Sequence, residues 1–519
     1  MGPRSMLVLA LLLPALAACD NGRRRSHSAT SASGEGGSAG MLEGEPLLSG
    51  NHQGGQNEQR TTGGTFGEDA IDEDEDSGAG SSGGPEEPVS RFCGDSIRDP
   101  LTEACDDGPA QEEDSCTASC LTRNLLVVAG NRDVKVSRHL GHSSRPLAAG
   151  QFGAAVIYTQ VEGSAADLRL SRFNNLGQRL AEPLVVSAGL TPGDASNPCV
   201  VSLPDGGYVA AWSDLAGGSL DVILRPIAPN GQIGTPRVAN STALGAQRNA
   251  DLLWSNDQLI AAWTDGFDVK ARAFTADLAP IAPEQTISTE LFAGDVSLAS
   301  HAGGWAAAFR EPAPNGLGEQ VGVRLEDGTT IAVGPFAAGP AEERPALISL
   351  DSEHLLLAFV ATHDGVARIE GSVLDVATAS EISKWDLAPA LAPYATDATL
   401  QKGHPRLARL ANRIFLTWQT TSPLADPLGQ ELFITELSWD SSAPLEVAWG
   451  VEASLLLDWA RDGTQQQAGL LGARVGRDDV LLAVFEQATA MPHSKVVPDL
   501  VLSFVPWSSS SHRLSEENP

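Results

Sequence analysis

The stretch PCVVSLPDGGYVAAWSD, residues 198–214, decides the fold of this chain. It holds an apolar run, a turn-forming Pro-Asp-Gly-Gly sequence and a second apolar run that ends in tryptophan. Short apolar runs separated by such a turn predict two antiparallel β-strands joined as a hairpin. Residues 221–227 follow as an alternating third strand, and residues 236–239 as a short fourth strand. The unit is therefore predicted to be a four-stranded sheet.

The second apolar run occurs seven times, and each copy ends in an aromatic residue. Successive aromatics lie 46 to 67 residues apart, at Tyr158, Trp212, Trp263, Phe309, Phe359, Trp418 and Phe485. This interval is near that of the four-stranded blade of a β-propeller, in which small sheets are arranged radially. We predict an all-β fold with a seven-bladed β-propeller over residues 124–519, and with each aromatic packed between neighbouring blades. Six or eight blades are the alternatives; an open β-solenoid has shorter repeats.

The last copy predicts how the ring closes. It offers strands near residues 470–475, 480–485 and 500–505, and then a polar tail without a fourth strand. Residues 134–138, ahead of the first copy, resemble the fourth-strand segment at 184–187. We expect this N-terminal segment to complete the final blade, because closure removes the free edges of an open array of sheets.

Residues 1–18 have the features of a secretion signal. Arg4 gives a short basic start, residues 6–13 are continuously apolar, and Leu-Ala-Ala at 16–18 leads into Cys19. The apolar run is too short to cross a bilayer. The segment resembles a bacterial lipoprotein signal peptide that ends in a lipobox, and the resemblance implies cleavage before Cys19 and acylation of its thiol. The alternative is an ordinary signal peptide followed by an incidental cysteine.

Residues 19–90 are predicted to form a disordered tether behind the lipid. Gly and Ser dominate this segment, apolar residues are scarce, and residues 68–76 carry a dense acidic block. Such a composition cannot bury enough apolar surface to offset the entropy lost on ordering. We interpret the acidic block as a solvated spacer, with calcium binding as the alternative.

Residues 91–123 are predicted to form a small disulfide module. Its four cysteines are Cys93, Cys105, Cys116 and Cys120. In an exported protein a compact, even set of cysteines indicates two disulfides, and the lack of a CxxC pair or a nearby histidine argues against zinc. The sequence leaves all three disulfide connectivities open.

The same module resembles the short cysteine-rich repeat of myxobacterial and related surface proteins. The matching residues are CGD at 93–95, CDDG at 105–108 and DSCTASC at 114–120, with departures at Ser96 and Pro109. The resemblance implies a structural role without catalytic residues. The aspartates of the module favour turns, with calcium binding as the alternative.

Two of the seven copies resemble the aromatic-rich propeller units of large bacterial surface and secreted proteins. A W-[ST]-D strand end followed by D-x-x-x-R occurs at 212–225 and again at 263–272. The resemblance implies a propeller in a cell-surface setting and names no ligand. The sialidase-type Asp box and the calcium loops of integrin-type blades are absent from the sequence, and neither the WD nor the kelch signature recurs through the seven copies.

The composition limits the classes of partner that the protein is expected to bind. A net charge of −32 argues against nucleic acid and against anionic membrane surfaces. No second apolar stretch is long enough to span a membrane, so the lipid on Cys19 is the predicted contact with the bilayer. The sequence has no P-loop or HExxH motif, and we assign no catalytic residue, metal ligand or cofactor, apart from the calcium alternatives.

The positions two residues beyond each aromatic give a candidate site. These positions end equivalent strands and are expected to form a ring on one face: Gln160, Asp214, Asp265, Glu311, Ala361, Thr420 and Gln487. The consecutive carboxylates Asp214, Asp265 and Glu311 form a candidate site for a ligand or cation, and paired carboxylates can also hydrolyse glycosides. The alternative is that they are solvated turn residues. Cys199, in a predicted strand, is interpreted as a buried apolar residue and not as a reactive thiol.

Together these features predict an exported lipoprotein whose propeller binds a protein or glycan at the cell envelope without catalysis. The alternatives are a propeller enzyme, either a polysaccharide lyase or a glycosidase, and a scaffold in an envelope complex. The outer membrane or the cell surface is favoured. Asp20, next to the lipidated cysteine, resembles the inner-membrane retention signal of enteric bacteria and keeps the inner membrane as an alternative.

Overall fold

The computed structural model describes part of the chain between residues 125 and 505. The described ranges are 125–126, 136–140, 144–150, 153–162, 165–174, 178–190, 195–215, 219–241, 245–288, 290, 293–316, 318–336, 344–363, 366–386, 402–411, 413–421, 430–439, 449–456, 464–475, 478–489 and 497–505. The chain divides into two units, residues 1–84 and 85–519, and all of these ranges belong to the second. The predicted lipid site, the tether and the four clustered cysteines lie outside the described residues.

All regular elements in the described ranges are β-strands, which confirms the all-β prediction. None of these ranges contains a helix of the length and apolar character that crossing a bilayer requires. The strands pair into seven antiparallel sheets.

The sheets follow one another along the chain. The first contains β2 (Val136–His139), β3 (Leu147–Gly150), β4 (Gly153–Glu162), β5 (Ala165–Phe173) and β6 (Leu184–Val185). The second contains β7 (Ser196–Ser202), β8 (Tyr208–Asp214), β9 (Asp221–Ile227) and β10 (Arg237–Val238). The third contains β11 (Gln247–Ser255), β12 (Gln258–Asp265), β13 (Asp268–Phe274) and β14 (Gln285–Thr286). The fourth contains β15 (Gly294–His301), β16 (Gly304–Pro312), β17 (Glu319–Leu325) and β18 (Thr330–Phe336).

The remaining three sheets also follow one another along the chain. The fifth contains β19 (Ala346–Ser349), β20 (His354–His363), β21 (Val366–Asp375) and β22 (Ser380–Asp386). The sixth contains β23 (Lys402–Leu410), β24 (Arg413–Thr421), β25 (Gln430–Trp439) and β26 (Trp449–Leu456). The seventh contains β27 (Thr464–Val475), β28 (Asp478–Thr489) and β29 (Val497–Val505), and β1 (Leu125–Leu126) joins it.

The seven sheets form a closed ring around their inner strands. Each inner strand contacts the inner strand of the next sheet, in the order β3, β7, β11, β15, β19, β23, β27 and back to β3. Such a ring is a β-propeller, as the sequence predicts.

The repeated aromatic of each sheet is buried against the sheet before it. Trp212 packs with Ile157 and Leu170 of the first sheet, and Tyr158 packs with Val484 of the last sheet. The other five interfaces repeat this arrangement with Trp263, Phe309, Phe359, Trp418 and Phe485. All seven aromatics are at most 3 % exposed. The predicted position between neighbouring blades is therefore confirmed, and large aromatic side chains supply much of the buried area there.

A different N-terminal segment from the predicted one closes the ring. Leu125 lies opposite Leu502, so β1 provides the fourth strand of the last sheet. Residues 136–139, within and beside the predicted segment 134–138, instead form β2 and pair with β4 in the first sheet. Closure by an N-terminal strand is confirmed, but the chosen segment is wrong. Several fourth strands have only two residues (β1, β6, β10 and β14), and so short a strand carries little sequence pattern.

Candidate functional site: the central cavity

Five of the seven inner strands, β7, β11, β15, β23 and β27, have a β-bulge near their beginning, where the pairing register shifts. Four of these bulges carry a residue with positive φ: Asn197 (51°), Asn249 (57°), Asp295 (58°) and His404 (54°). Asn, Asp and His are the non-glycine residues most often found in this region, and bulges redirect side chains.

The redirected side chains connect neighbouring sheets. Asn197 Nδ2 donates to Asn249 Oδ1 at 2.7 Å, and Asn249 Nδ2 donates to Asp295 Oδ1 at 2.9 Å. A chain of hydrogen bonds thus joins the second, third and fourth sheets at the centre of the ring.

Two arginines extend this network across the ring. Arg145, just before β3, donates from Nη2 to the carbonyl oxygen of Leu298 at 2.8 Å, in the fourth sheet. Arg344, just before β19, donates from Nη1 to Val296 O at 2.8 Å and from Nη2 to Asn249 O at 3.2 Å. The two guanidinium groups therefore cross-link inner strands from several sheets.

Asp251 is the acidic partner of Arg145 in this network. Its Oδ1 lies 3.4 Å from Arg145 Nε, and its Oδ2 accepts the backbone N–H of Leu298 at 2.7 Å. Oδ1 also accepts the backbone N–H of Leu252 at 2.9 Å. The Asp251 carboxylate is 1 % exposed, so its charge is compensated by these donors inside the fold.

A cavity of about 420 Å³ lies among the inner strands, and we call it the central cavity. Its charged lining residues are all arginines: Arg145, Arg344, Arg406 and Arg409. Four serines are the other polar residues of the lining: Ser144, Ser297, Ser300 and Ser349. Leucines and alanines make up most of the remaining wall, and the lining within the described ranges includes no Asp, Glu, His or Cys. Cavities of this size accept small molecules.

The central arginines keep their charge and are held in position. Arg344 is 5 % and Arg406 is 8 % exposed, whereas Arg409 lies on the exposed side of the cavity wall. Arg409 Nε donates to the carbonyl oxygen of Ala411 at 2.8 Å. A guanidinium group has five N–H donors, accepts no hydrogen bond and stays protonated in proteins. Backbone carbonyls orient these groups, and Arg145 is paired with Asp251 as well.

The three carboxylates predicted to form a ring each have a donor within their own sheet. The pairs are Trp212 Nε1 to Asp214 Oδ2 at 2.9 Å, Gln247 Nε2 to Asp265 Oδ1 at 2.8 Å, and Gln320 Nε2 to Glu311 Oε1 at 2.9 Å. Asp214 and Glu311 are each 1 % exposed. In the part of the chain that the structure describes, no three His, Cys, Asp or Glu side chains lie close enough together to hold a metal ion. These carboxylates take part in the hydrogen bonding of their own sheets, and the candidate ligand or cation ring stays a prediction.

Cys199 is buried beside the central network. It is 0 % exposed and packs in the apolar cluster that also contains Trp263. Burial above all, and then the negative charge of Asp251, raises the pKa of Cys199 to about 12, although Arg344, Arg145 and Ser144 act in the opposite direction. A thiol with so high a pKa stays protonated at neutral pH, which confirms the interpretation as a buried, unreactive residue.

The arginines of the D-x-x-x-R pattern, Arg225 and Arg272, hydrogen-bond to the preceding sheet. Arg225 Nη1 donates to Val186 O and Ala188 O of the preceding sheet, both at 2.7 Å. Arg272, at the same position of the third sheet, donates from Nη1 to Ala239 O at 3.2 Å. These residues donate to backbone carbonyls that follow the short fourth strand of the neighbouring blade.

Sequence reasoning missed the central arginines. One signal was available, because a polar residue followed by proline stands at the start of four inner strands: Arg145-Pro146, Asn197-Pro198, Arg344-Pro345 and His404-Pro405. Aligning the copies on this pair, in addition to the aromatic, would have placed Arg145 and Arg344 at the centre of the ring.

Comparisons with known proteins give only distant similarity. No protein-family model matches the chain, and no curated protein matches it. The WD40 domain of coronin from Toxoplasma gondii is 11% identical, with a TM-score of 0.40, over 71% of this chain and 83% of that chain. The subtype N11 neuraminidase-like protein of A/flat-faced bat/Peru/033/2010 (H18N11) is 10% identical, with a TM-score of 0.38, over 75% and 95%. The catalytic domain of a GH62 alpha-L-arabinofuranosidase from Coprinopsis cinerea is 11% identical, with a TM-score of 0.31, over 47% and 91%. Similarities this weak carry no argument about the ligand or the reaction of this chain.

Proposed function

We propose that this protein is a lipid-anchored component of the bacterial envelope, whose propeller binds a protein or a glycan without changing it chemically. Anchoring follows from the lipobox-like segment that ends at Cys19, and the acidic Gly/Ser-rich segment behind it serves as the spacer. The propeller is the binding domain, and the central cavity is its binding site.

The lining of the central cavity carries the proposal that binding occurs without catalysis. Its ionisable groups in the described ranges are arginines, and an arginine does not give up its proton at neutral pH. Glycosidases as a class need two carboxyl groups beside the scissile bond, and general acid–base catalysis needs a group that titrates near the working pH. Asp214 and Glu311, which the sequence offered as candidate carboxylates, are buried and hydrogen-bonded in their sheets. The cavity is therefore better suited to holding a ligand than to transforming it.

Replacing the acylated cysteine tests the anchor. The Cys19→Ser variant is expected to leave the membrane fraction and to lose incorporation of labelled fatty acid, because serine offers no thiol for acylation. Asp20→Ser is the matched control, since it keeps the thiol and should remain in the membrane fraction. A Cys19→Ser protein that still sediments with membranes would show that the lipid is not the anchor.

A retention experiment tests binding against catalysis. The full chain, purified in detergent and immobilised, is incubated with envelope polysaccharides, and both the retained polymer and any released fragments are measured. We expect retention with unchanged polymer length and no new reducing ends or unsaturated uronates. Fragment release would establish the enzyme alternative, and retention of neither glycan nor envelope protein would favour the scaffold.

A further inference from the structure

The central cavity has the opposite charge to the protein that contains it. The chain has a net charge of −32, yet four arginines and no acidic residue are found in the described lining of this cavity. One of the four, Arg145, is ion-paired with the buried Asp251. Walls of low dielectric strengthen the attraction of such a site for an anion and weaken its screening by salt. An acidic protein that concentrates arginines at its centre selects anions there while its outer surface repels them.

We propose that the central cavity binds a carboxylate-bearing saccharide of one or two sugar units, such as a uronic acid or the end of an acidic glycan. This inference rests on the proposed binding function and specifies its ligand. Planar guanidinium groups match carboxylates as two-pronged donors, and this pairing gives shorter and stronger bonds than neutral groups provide.

The shape and the remaining wall of the cavity favour a saccharide over a bare ion. A volume of about 420 Å³ is much larger than an inorganic anion and fits a ligand of one or two rings. Ser297 and Ser300 stand in the lining and supply polar groups for sugar hydroxyls, and the partly buried Leu471 is an apolar residue of the wall.

The guanidinium groups are positioned before any ligand arrives. Arg145 and Arg344 are tied to Leu298 O and Val296 O, each at 2.8 Å, so little side-chain entropy is lost when an anion binds. Arg409 Nη1 lies 3.4 Å from Ser349 O, a long contact that leaves this side chain adaptable on the exposed side of the wall. Arg409 is therefore the residue whose replacement changes the cavity charge with the smallest effect on the cross-links.

Calorimetric titration of the full chain in detergent tests the proposal. The probes are glucuronate, galacturonate and digalacturonate as acidic saccharides, glucose and galactose as neutral ones, and sodium sulfate as an inorganic anion. We expect the uronates to bind at least tenfold more tightly than the neutral sugars, and their affinity to fall as salt is added. Tighter binding of digalacturonate than of the free uronates would identify a glycan as the source of the carboxylate.

A pair of arginine variants locates the binding. Arg409→Gln should weaken uronate binding at least tenfold, the usual cost of losing one charged hydrogen bond. Arg237→Gln removes the same charge from an exposed fourth strand and should change the affinity less than twofold. Arg409→Lys keeps the charge without the two-pronged geometry and should give an intermediate loss, and near-ultraviolet circular dichroism of all three variants should match the parent.

The outcomes separate this inference from the proposed function. If neutral and acidic sugars bind equally, the protein is a glycan binder and the carboxylate inference is overturned. If sulfate competes as well as glucuronate, the cavity is a general anion site and the saccharide assignment is overturned. If Arg409→Gln and Arg237→Gln bind uronate equally well, the acidic ligand occupies another part of the molecule. If no saccharide binds, the inference fails, while retention of an envelope protein would leave the proposed function standing.

Discussion

Replacing Asp251 with asparagine tests whether the centre of the propeller holds its sheets together. The Asp251 carboxylate lies in the third sheet, accepts the N–H of Leu298 in the fourth at 2.7 Å, and faces Arg145, which precedes β3 of the first, at 3.4 Å. Asparagine has nearly the same shape but only one acceptor oxygen, and its NH2 group must face a donor. The change therefore removes the charge and one hydrogen bond while it preserves the packing.

The expected loss follows from these contacts. A hydrogen bond to a charged group contributes about 1.5–3 kcal/mol, and removing one partner of a buried ion pair costs about 3–5 kcal/mol. Because Arg145 is partly exposed and can recover some solvation, we expect a decrease in unfolding free energy of about 3 kcal/mol. Urea unfolding of the full chain, followed by tryptophan fluorescence, should show a lower midpoint with an unchanged slope.

Asp205→Asn is the control for this experiment. Asp205 Oδ1 also accepts a backbone N–H, that of Gly207 at 2.8 Å, but in an exposed hairpin turn. Its replacement should cost less than about 1 kcal/mol. Equal losses in the two variants, or an Asp251→Asn protein within about 0.5 kcal/mol of the parent, would refute the view that this carboxylate joins the sheets.

Three further predictions concern single residues. Trp212→Ala should lower the unfolding free energy by about 3–5 kcal/mol because its buried side chain fills an interface between sheets, whereas Phe267→Ala, 58 % exposed, should change it by less than about 0.5 kcal/mol in the same urea experiment. Burial raises the pKa of Cys199 from 9.0 to about 12 in the folded protein, so thiolate formation in the unfolded chain lowers the stability progressively above pH 9. Between pH 9.5 and 10.5 the parent should lose about 1 kcal/mol more than Cys199→Ala, and parallel pH profiles would contradict this. Arg225→Ala should lower the unfolding free energy by about 2–3 kcal/mol, because the side chain bonds to the neighbouring sheet, whereas Arg237→Ala should stay close to the parent. Arg225→Lys should recover only part of this loss, and full recovery would mean that the charge matters here and the planar geometry of the guanidinium group does not.

The fold could be predicted because each sheet is specified locally. The predicted third strand 221–227 coincides with β9, which lies next to the tryptophan-bearing strand β8 that precedes it along the chain. Hairpin partners close in sequence leave a pattern of alternation and turn residues that a short window detects. The two-residue strand β1 has no such pattern, since its partner Leu502 lies at the other end of the chain.

The candidate site could not be predicted to the same degree, because its residues meet only when the ring closes. Arg145 and Leu298 are 153 positions apart, and nothing in either local sequence indicates the hydrogen bond between them. The position of Asp214 at a strand end was predicted, but its role was not. The buried indole N–H of Trp212 requires an acceptor, and Asp214 supplies it at 2.9 Å. In the copy at 212–214 the W-[ST]-D pattern is thus explained by a hydrogen bond inside one sheet, whereas in the copy at 263–265 Asp265 accepts from Gln247 Nε2 at 2.8 Å.

The arginines of the central cavity remain to be explained on grounds other than stability. Replacing buried charges by well-packed apolar residues is often neutral or stabilising, so a propeller selected for stability alone would fill this space with leucine and valine. Arg145 and Arg344 have a partial structural justification, since both bond to backbone oxygens of other sheets. Arg409 bonds to the nearby Ala411 at 2.8 Å and reaches Ser349 only at 3.4 Å, yet its side chain lines the same cavity. Because Arg409 is exposed, its charge carries little desolvation cost. Its replacement therefore tests the charge of the cavity without removing a cross-link between buried strands.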